Sequence, residues 1–167
     1  MSLETWLYAK ECLGKDGMPI RTYKVRTMDA DAEERLDEIL SKGLDSYGHI
    51  IDDPRVTPVG RLLRKYWIDE LPQFYNLTKG DLKLVGIRPK GTMDWERYPE
   101  DIKTRALRQK PSLIGIAYAY KKTSSFDDHL AHSREYLDQW ETSPNKTDLK
   151  YLLRIMMNIA FRGVRSS

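Results

Sequence analysis

Residues 57–73, TPVGRLLRKYWIDELPQ, contain two helix starts separated by a short bend. Thr57-Pro58 combines a typical N-cap residue with a proline at the first helical position, which predicts a helix that begins here. A second helix is expected to begin near Leu71-Pro72, since proline fits a first turn and the residue before it resists helical dihedral angles. The adjacent acids Asp69 and Glu70 are therefore predicted to lie in a bend between two helices.

Upstream of this bend the pattern predicts a β-hairpin and then a helix. Turn residues at positions 14–17 separate two strand-like segments, and the second segment carries Lys24 and Arg26 on one face. Two cations on one face of a strand are usually exposed to solvent. A helix is expected over residues 31–43, ending at a glycine, and residues 44–53 are interpreted as a loop.

Downstream, five further segments are predicted, in order a strand at 82–85, a helix over 99–109, an extended run from 111 to 120, a helix capped by Ser125 and a last helix capped by Thr147. The last helix has a wide apolar face with basic edges. Both a core helix and a helix lying in a membrane interface fit that pattern. The fold class expected is α+β: a helix-rich single domain over residues 1–167, with an N-terminal β-hairpin and amphipathic membrane-interface helices.

Composition limits the function classes. The chain has 167 residues, 40% of them hydrophobic, enough for one domain with a core. The net charge of +3 is too small to indicate wholesale coating of nucleic acid, and the single cysteine, Cys12, cannot close an internal disulfide, which favours a reducing cytoplasmic setting. No apolar run approaches the ~20 residues of a spanning helix. His129 and His132 lie three apart, a spacing open to a metal but more typical of surface histidines.

Taken alone, the two acids of the bend have an ordinary explanation. Asp69 is a good N-cap, and Glu70 suits the positive end of a helix dipole in a first turn. The alternative is a catalytic pair, because a carboxylate can act as a covalent nucleophile toward phosphorus. The neighbouring motifs decide between these interpretations.

The order of motifs along the chain resembles the bacterial sugar transferase family, the monotopic polyprenol-phosphate phosphoglycosyl transferases. The resemblance covers nearly the whole chain and is strongest from Tyr23 to Pro89. Its motifs are Tyr23-Lys24-Val25-Arg26-Thr27-Met28, Asp53-Pro54-Arg55-Val56-Thr57, Asp69-Glu70-Leu71-Pro72-Gln73, Lys79-Gly80-Asp81 and Leu84-Val85-Gly86-Ile87-Arg88-Pro89.

The resemblance implies transfer of a sugar-1-phosphate from a nucleotide-sugar, usually a UDP-sugar, to a polyprenol phosphate at the cytoplasmic face of the bacterial inner membrane, starting a surface glycan. By position Asp69 would be the nucleophile that holds the sugar-phosphate, and Glu70 would deprotonate the incoming polyprenol phosphate. Mg²⁺, with Asp69 as its expected ligand, and fixed cations would neutralise the donor diphosphate. Arg88, in a loop stiffened by Pro89, is the first phosphate-binding candidate. Lys24, Arg26 and Lys110 follow by motif position.

The chain also departs from the family pattern. Members usually carry an apolar re-entrant membrane helix upstream of the hairpin, and this chain, starting close to the hairpin, is expected to lack it. Ile87 stands where the family has proline, and Ser112 and Ile114 depart from the pattern in the segment after Lys110-Pro111. Tyr118 stands in place of a glutamine, and Lys121 in place of part of an Asn-Gly-Arg motif. Ser133 stands in place of an acid.

Two other functions stay open at the level of the sequence. One is a catalytically silent module that binds a nucleotide-sugar or a partner protein in a glycan-assembly complex. The other is a general anion or nucleic-acid binder that uses the basic clusters at 61–65 and 103–110. The leading prediction is the enzyme.

Overall fold

The computed structural model describes residues 6–32, 34–35, 53–120 and 125–162. Within these ranges it has two two-stranded sheets and six α-helices, which confirms the α+β class. The helix predicted over residues 31–43 and the loop after it lie almost wholly outside the described residues.

The N-terminal hairpin is present. Strands β1 (Leu7–Leu13) and β2 (Pro19–Val25) pair antiparallel, with Leu7 opposite Val25. The turn between them is a short 3₁₀ helix, Lys15–Gly17, in which Asp16 and Gly17 take positive φ angles of 56° and 74°. Asparagine, aspartate and glycine are the residues that tolerate this conformation, so the turn follows from its sequence.

The two helices around the acidic bend are also as predicted. Helix α1 (Pro58–Lys65) begins after Thr57, whose hydroxyl accepts a hydrogen bond from the Gly60 N–H at 2.9 Å. Helix α2 (Gln73–Lys79) ends at Gly80, which has a φ of 86°. Between them a 3₁₀ turn, Ile68–Glu70, carries both acids.

The second sheet is a parallel pair, β3 (Lys83–Gly86) with β4 (Ser112–Gly115). Parallel neighbours need a crossover, which here consists of α3 (Thr92–Glu96) and α4 (Glu100–Leu107). The sequence predicted α4 and missed α3. The extended run predicted as far as position 120 is wrong beyond β4: Ile116–Ala119 forms a 3₁₀ turn, because its first and last residues, three apart, are both buried.

Two long helices complete the domain. Helix α5 (Phe126–Thr142) begins where predicted, and the Ser125 hydroxyl accepts from the Asp128 N–H. Helix α6 (Pro144–Arg162) begins before the predicted cap, Thr147, which is wrong as a cap residue. Pro144 is suited to a first helical turn, and Thr147 is buried inside the helix.

The core lies between the β3/β4 pair and helices α3 to α6. Its buried residues are Val85, Ile87, Trp95, Ile102, Ala106, Ile116, Ala119, Tyr120, Leu130, Tyr136, Leu137, Tyr151 and Ile155. A buried polar cluster fastens α6 to β3: Lys83 Nζ donates to Asp148 at 2.8 Å and to the Tyr136 hydroxyl at 2.7 Å. Helices α1 and α2 contribute no residue to this core cluster.

Gly60 provides a test of how α1 is seated. A Cβ there would overlap the Thr27 carbonyl, while Thr57 N–H also donates to that carbonyl at 3.0 Å. Gly60→Ala is therefore expected to lower the free energy of unfolding by about 1–3 kcal/mol, the usual cost of overpacking. Urea titration of both proteins measures it. Gly91→Ala is the matched control, since a Cβ at Gly91 meets its nearest atom at an ordinary 3.4 Å. Equal losses in the two variants would contradict this account of α1.

Candidate functional site

The acidic turn owes its shape to Trp67. This residue, two positions after the end of α1, lies in the left-handed region with a φ of 56° and starts the 3₁₀ turn. Its indole N–H donates to the Tyr118 hydroxyl at 3.3 Å, and the two rings pack edge to face. In turn, the Tyr118 carbonyl accepts from Asn158 on α6. Two other segments, the 3₁₀ turn that contains Tyr118 and helix α6, thus hold Trp67 at the start of the acidic turn.

Glu70 is the centre of a partly buried ion cluster. Its two carboxylate oxygens accept from Arg88 Nη1 and Nη2 at 2.7 and 2.6 Å, a bidentate arrangement. Lys24 Nζ, from β2, donates to the same carboxylate at 3.0 Å. The solvated strand face predicted for Lys24 is therefore wrong, because the hairpin folds that lysine onto the acidic turn.

The two acids differ electrically. Burial works against ionisation of Glu70, but its hydrogen bonds and charge interactions with Arg88 and Lys24 outweigh burial and lower its pKa. Burial raises the pKa of Asp69, which is 6% exposed, and the neighbouring Glu70 charge adds to that effect, while the charges of Lys24 and Arg64 oppose it. Among the described residues no cation lies within ion-pair distance of Asp69. Glu70 is thus a paired carboxylate, whereas Asp69 is a buried one without a counterion.

Polar contacts hold the three members of this cluster in place. Asn76 on α2 is fully buried and fixes β2, donating to the Arg21 carbonyl at 2.6 Å and accepting from the Tyr23 N–H. Arg88 also donates to the Leu113 carbonyl of β4 at 2.9 Å. A Cβ at Gly115 would lie 2.8 Å from Arg88 Cγ, so the glycine leaves the room that the arginine occupies.

A cavity of about 520 Å³ opens beside the cluster. Its polar and charged lining includes Lys10, Lys24, Glu70, Arg88, Lys90, Asp94, Arg97, His129 and Ser133. Its aromatic lining consists of Tyr98, Tyr118 and Phe126. Cationic and aromatic groups on one wall suit a ligand with both phosphates and a flat ring.

The structure brings together most of the residues predicted from sequence. Lys24, Glu70, Arg88 and Pro89 line the cavity, and Asp69 is next to Glu70. The side chain of Arg26 instead lies over the Tyr8 ring at 5.9 Å, and Lys110 is exposed with its ammonium close to Gly80. Neither lines the cavity. Asp69 is not an N-cap, since α2 has no side-chain cap.

The sequence did not point to Lys10, Lys90, Asp94 or Tyr98. Lys90 directly follows the predicted Arg88-Pro89 pair, and its carbonyl accepts from Leu13 N–H at 2.9 Å in an isolated β-bridge. The sequence signal that could have identified Lys90 as a cavity residue was its position directly after the Arg88-Pro89 motif. Asp94 and Tyr98 belong to the crossover, whose first helix was missed.

The two histidines on α5 have separate surroundings. His129 lines the cavity, while the His132 ring stacks on Tyr120 with centroids 3.4 Å apart. Burial lowers the pKa of His132. Within the part of the chain that the structure describes, no three His, Cys, Asp or Glu side chains come together as a metal site.

Most of the departures from the family pattern lie close to the cavity. Ile87 and the buried Ser133 line it, and the Ser133 hydroxyl donates to the His129 carbonyl. Ser112 is fully buried and donates to the Ile114 carbonyl within β4. Lys121 lies outside the described residues.

Two apolar surfaces are exposed to solvent. One runs along α6, and the other covers α1, the acidic turn and α2. The α6 surface comprises Leu149, Leu153, Met156, Met157 and Phe161; the α1/α2 surface comprises Val59, Leu62, Tyr66, Ile68, Leu71, Phe74 and Tyr75. Basic Lys146, Lys150 and Arg154 border a groove on the α6 surface. Across the described ranges, none of the helices has both the length and the apolar character needed to cross a membrane.

Three curated proteins are similar to this chain over most of its length. Galactosyl transferase CpsE of Streptococcus agalactiae serotype III is 34% identical over 151 residues, 88% of this chain and 33% of the relative. Undecaprenyl-phosphate galactose phosphotransferase of Salmonella typhimurium is 34% identical, and UDP-galactose-lipid carrier transferase of Erwinia amylovora is 32% identical. Each of these two matches covers 80% of this chain and 28% of the relative. The chain thus spans a third or less of the length of these relatives.

The sequence profile described as "Bacterial sugar transferase" matches residues 1–162. This match covers the hairpin, the acidic turn, the cavity and both long helices, and it confirms the resemblance found from the motifs. The chain belongs to the bacterial sugar transferase family.

Proposed function

We propose that this chain is the catalytic domain of an enzyme that moves a sugar-1-phosphate from a UDP-sugar to a polyprenol phosphate. Two relatives support these substrate classes by their names. They are the undecaprenyl-phosphate galactose phosphotransferase of Salmonella and the UDP-galactose-lipid carrier transferase of Erwinia. The observation that carries the proposal is the unequal pair of acids. Asp69, buried and adjacent to the cavity-lining Glu70, has no ion pair among the described residues, and Glu70 is held by Arg88 and Lys24.

In the first half-reaction Asp69 is the nucleophile. A carboxylate oxygen attacks the sugar-bearing phosphorus, the bond from that phosphorus to the bridging oxygen breaks, and UMP leaves with the electron pair. The product is an acyl phosphate that joins Asp69 to the sugar-phosphate. An aspartate without an ion-paired cation keeps its lone pairs available, which favours this role over Glu70.

In the second half-reaction Glu70 is the base. It takes the proton of the polyprenol phosphate monoanion, whose oxygen then attacks the phosphorus and displaces the Asp69 carboxylate. The product is a polyprenol diphosphate sugar, and free Asp69 is restored. Glu70 paired with Arg88 is a weak base, so the incoming phosphate is expected to bind Arg88 in its place. Releasing Glu70 from Arg88 raises its pKa towards the second pKa of a phosphate monoester, about 6.

Mg²⁺ fits these residues, with Asp69 as its protein ligand. Magnesium in phosphoryl-transfer sites is commonly held by one or two carboxylates together with substrate phosphates. The buried amide of Gln73, four residues after Asp69, has neither of its polar atoms hydrogen-bonded, so its carbonyl oxygen is available as a further polar partner. When bound, the ion would offset the charge of the diphosphate.

We also propose that the exposed apolar surfaces of α6 and of α1/α2 lie in the membrane interface. Exposed leucine and methionine beside Lys146, Lys150 and Arg154 match an amphipathic helix on an anionic bilayer. A polyprenol phosphate presents its head group at that depth. Docking at the cytoplasmic face of the inner membrane, where UDP-sugars are made, follows from the two substrates.

The covalent intermediate gives the decisive test. Incubation of the protein with Mg²⁺ and UDP-galactose, or a panel of other UDP-sugars, is expected to add the mass of one sugar-phosphate to the intact protein. Asp69→Asn should abolish the adduct. Glu70→Gln should retain it, since the base acts only in the second half-reaction. Intact-protein mass spectrometry measures all three, and an adduct that persists in Asp69→Asn would rule out Asp69 as the nucleophile.

The two acids are expected to titrate differently. Carbon-detected NMR without metal should place the Asp69 pKa above its ordinary 3.8 and the Glu70 pKa below its ordinary 4.5. The Glu70 ion pairs then stabilise the fold fully above pH 4.5, and this contribution is lost as the pH falls through the lowered Glu70 pKa. Added Mg²⁺ should lower the Asp69 pKa and leave Glu70 nearly unchanged. A shift confined to Glu70 would place the ion elsewhere.

Membrane docking is tested by charge. Leu153→Glu with Met157→Glu, at positions 52% and 55% exposed, should reduce binding to vesicles containing anionic lipid while the circular dichroism spectrum stays the same. The control is Met18→Glu with Met93→Glu, which adds the same charge at exposed sites on the hairpin turn and α3. Vesicle co-sedimentation measures both. Equal binding by the two double variants would disprove docking through α6.

A further inference from the structure

The charges on the cavity wall do not balance. In the described part of the chain, five cationic and two acidic side chains line the cavity. The cations are Lys10, Lys24, Arg88, Lys90 and Arg97, and the acids are Glu70 and Asp94. A ligand that carries several negative charges would restore the balance.

Both acids are already engaged. Glu70 binds Arg88 and Lys24, as described above. Asp94 accepts from Lys10 Nζ at 2.7 Å and from the Gly91 N–H at 3.2 Å, which joins β1 to the start of α3. These pairs account for Lys10, Lys24 and Arg88. Of the other two cations, Arg97 lies over the Phe126 ring at 5.2 Å, and Lys90 has no ion-paired acid among the described residues.

Lys90 holds its ammonium group in an unusual environment. The Nζ atom lies 4.9 Å from the centroid of the Tyr98 ring and 5.8 Å from that of the Trp95 ring. Among the described residues no carboxylate or carbonyl accepts a hydrogen bond from it. An ammonium has three donors, and aromatic faces attract the charge without accepting those hydrogen bonds. The lysine is thus placed on the cavity wall with its donors available.

The acid–base behaviour of Lys90 agrees with this geometry. Its pKa is lowered to about 8, mainly by burial; the charges of Arg88 and Lys10 act in the same direction, while Asp94 and Cys12 oppose the change. Burial also raises the pKa of Tyr98, whose ring contacts the lysine. An anion bound at Lys90 would favour the charged lysine and offset the cost of burial.

Lys90 also interacts with groups from both chemical halves of the cavity, the charge of Arg88 and the ring of Tyr98. Two residues before it, Arg88 binds Glu70 at the acidic turn. On its other side Tyr98 packs edge to face on Phe126, and Phe126 is stacked with His129. A nucleotide-sugar laid along this wall would place its ring at the aromatic end and its sugar-phosphate near Asp69. The phosphate attached to the nucleoside would come between them.

We propose that Lys90 binds the nucleoside-side phosphate of the donor and stabilises the charge that develops on the nucleoside monophosphate as it leaves. This inference rests on the proposed function. When the bond to the bridging oxygen breaks, the departing phosphate gains a negative charge, and a fixed, desolvated cation beside it binds the leaving group more strongly than the intact donor.

Calorimetric binding of UDP, UMP and uridine to the wild type and to Lys90→Met tests the assignment. Methionine keeps an unbranched apolar chain against the two rings and removes the charge. Lys90→Met should weaken UDP and UMP about ten- to a hundredfold, the usual loss for a charge-assisted phosphate contact, and leave uridine unaffected. Lys90→Arg should retain most of the affinity. Lys103→Met, which removes a lysine paired with Glu100 away from the cavity, should bind like the wild type.

Each result decides the matter. Wild-type affinity for UDP in Lys90→Met, or an equal loss of uridine binding, would overturn the assignment while leaving the proposed function intact. Failure of the wild type to bind UDP and UMP would overturn it too, and adduct formation with other nucleotide-sugars would then show separately whether the proposed function survives. If Lys90→Met does not fold, Lys90→Gln takes its place in the same comparison.

Discussion

The partly buried contact of Glu70 with Arg88 and Lys24 joins three parts of the chain that are far apart in sequence. The acid comes from the 3₁₀ turn between α1 and α2, the arginine from the loop after β3, and the lysine from the hairpin. Removing one partner from such a group would leave a partly desolvated charge without its counterion, which costs more than the net gain from forming the group. The hairpin therefore belongs to the site, although it contributes none of the residues of the main core cluster.

This cluster also separates the roles of two adjacent acids of similar chemistry. Neighbouring side chains in a 3₁₀ turn point about 120° apart, so Glu70 and Asp69 meet different surroundings although they are adjacent in sequence. Concentrating the cations on one carboxylate leaves the other buried with a raised pKa. Pairs of titratable groups whose environments move their pKa values in opposite directions are typical of sites that need two distinct chemical functions.

The sequence alone predicted the elements that have local signals, and it predicted that Asp69 and Glu70 lie in a bend between two helices. Thr57 and Ser125 cap their helices as predicted, since a capping hydrogen bond involves only residues three apart.

Interactions that depend on distant partners were not predictable. Lys24 looks like a solvated strand residue until the hairpin is folded onto Glu70, and Lys90 gains its aromatic surroundings only when α3 forms. The extended run after β4 failed for the same reason, because burial of Ile116 and Ala119 overrides the local pattern. Arg26 and Lys110, chosen by motif position alone, lie away from the cavity wall.

Helix α6 is fastened to the site at two points, through Asp148 to Lys83 of β3 and through Asn158 to the Tyr118 carbonyl beside Trp67. Its exposed apolar face and the acidic turn consequently belong to one rigid unit. The distance of Asp69 from a surface on which α6 rests is then set by the fold. Under the proposed function, a lipid-linked phosphate would have to cover that distance through the flexibility of its own chain, so the length and mobility of the lipid would set how easily the acceptor reaches the acids.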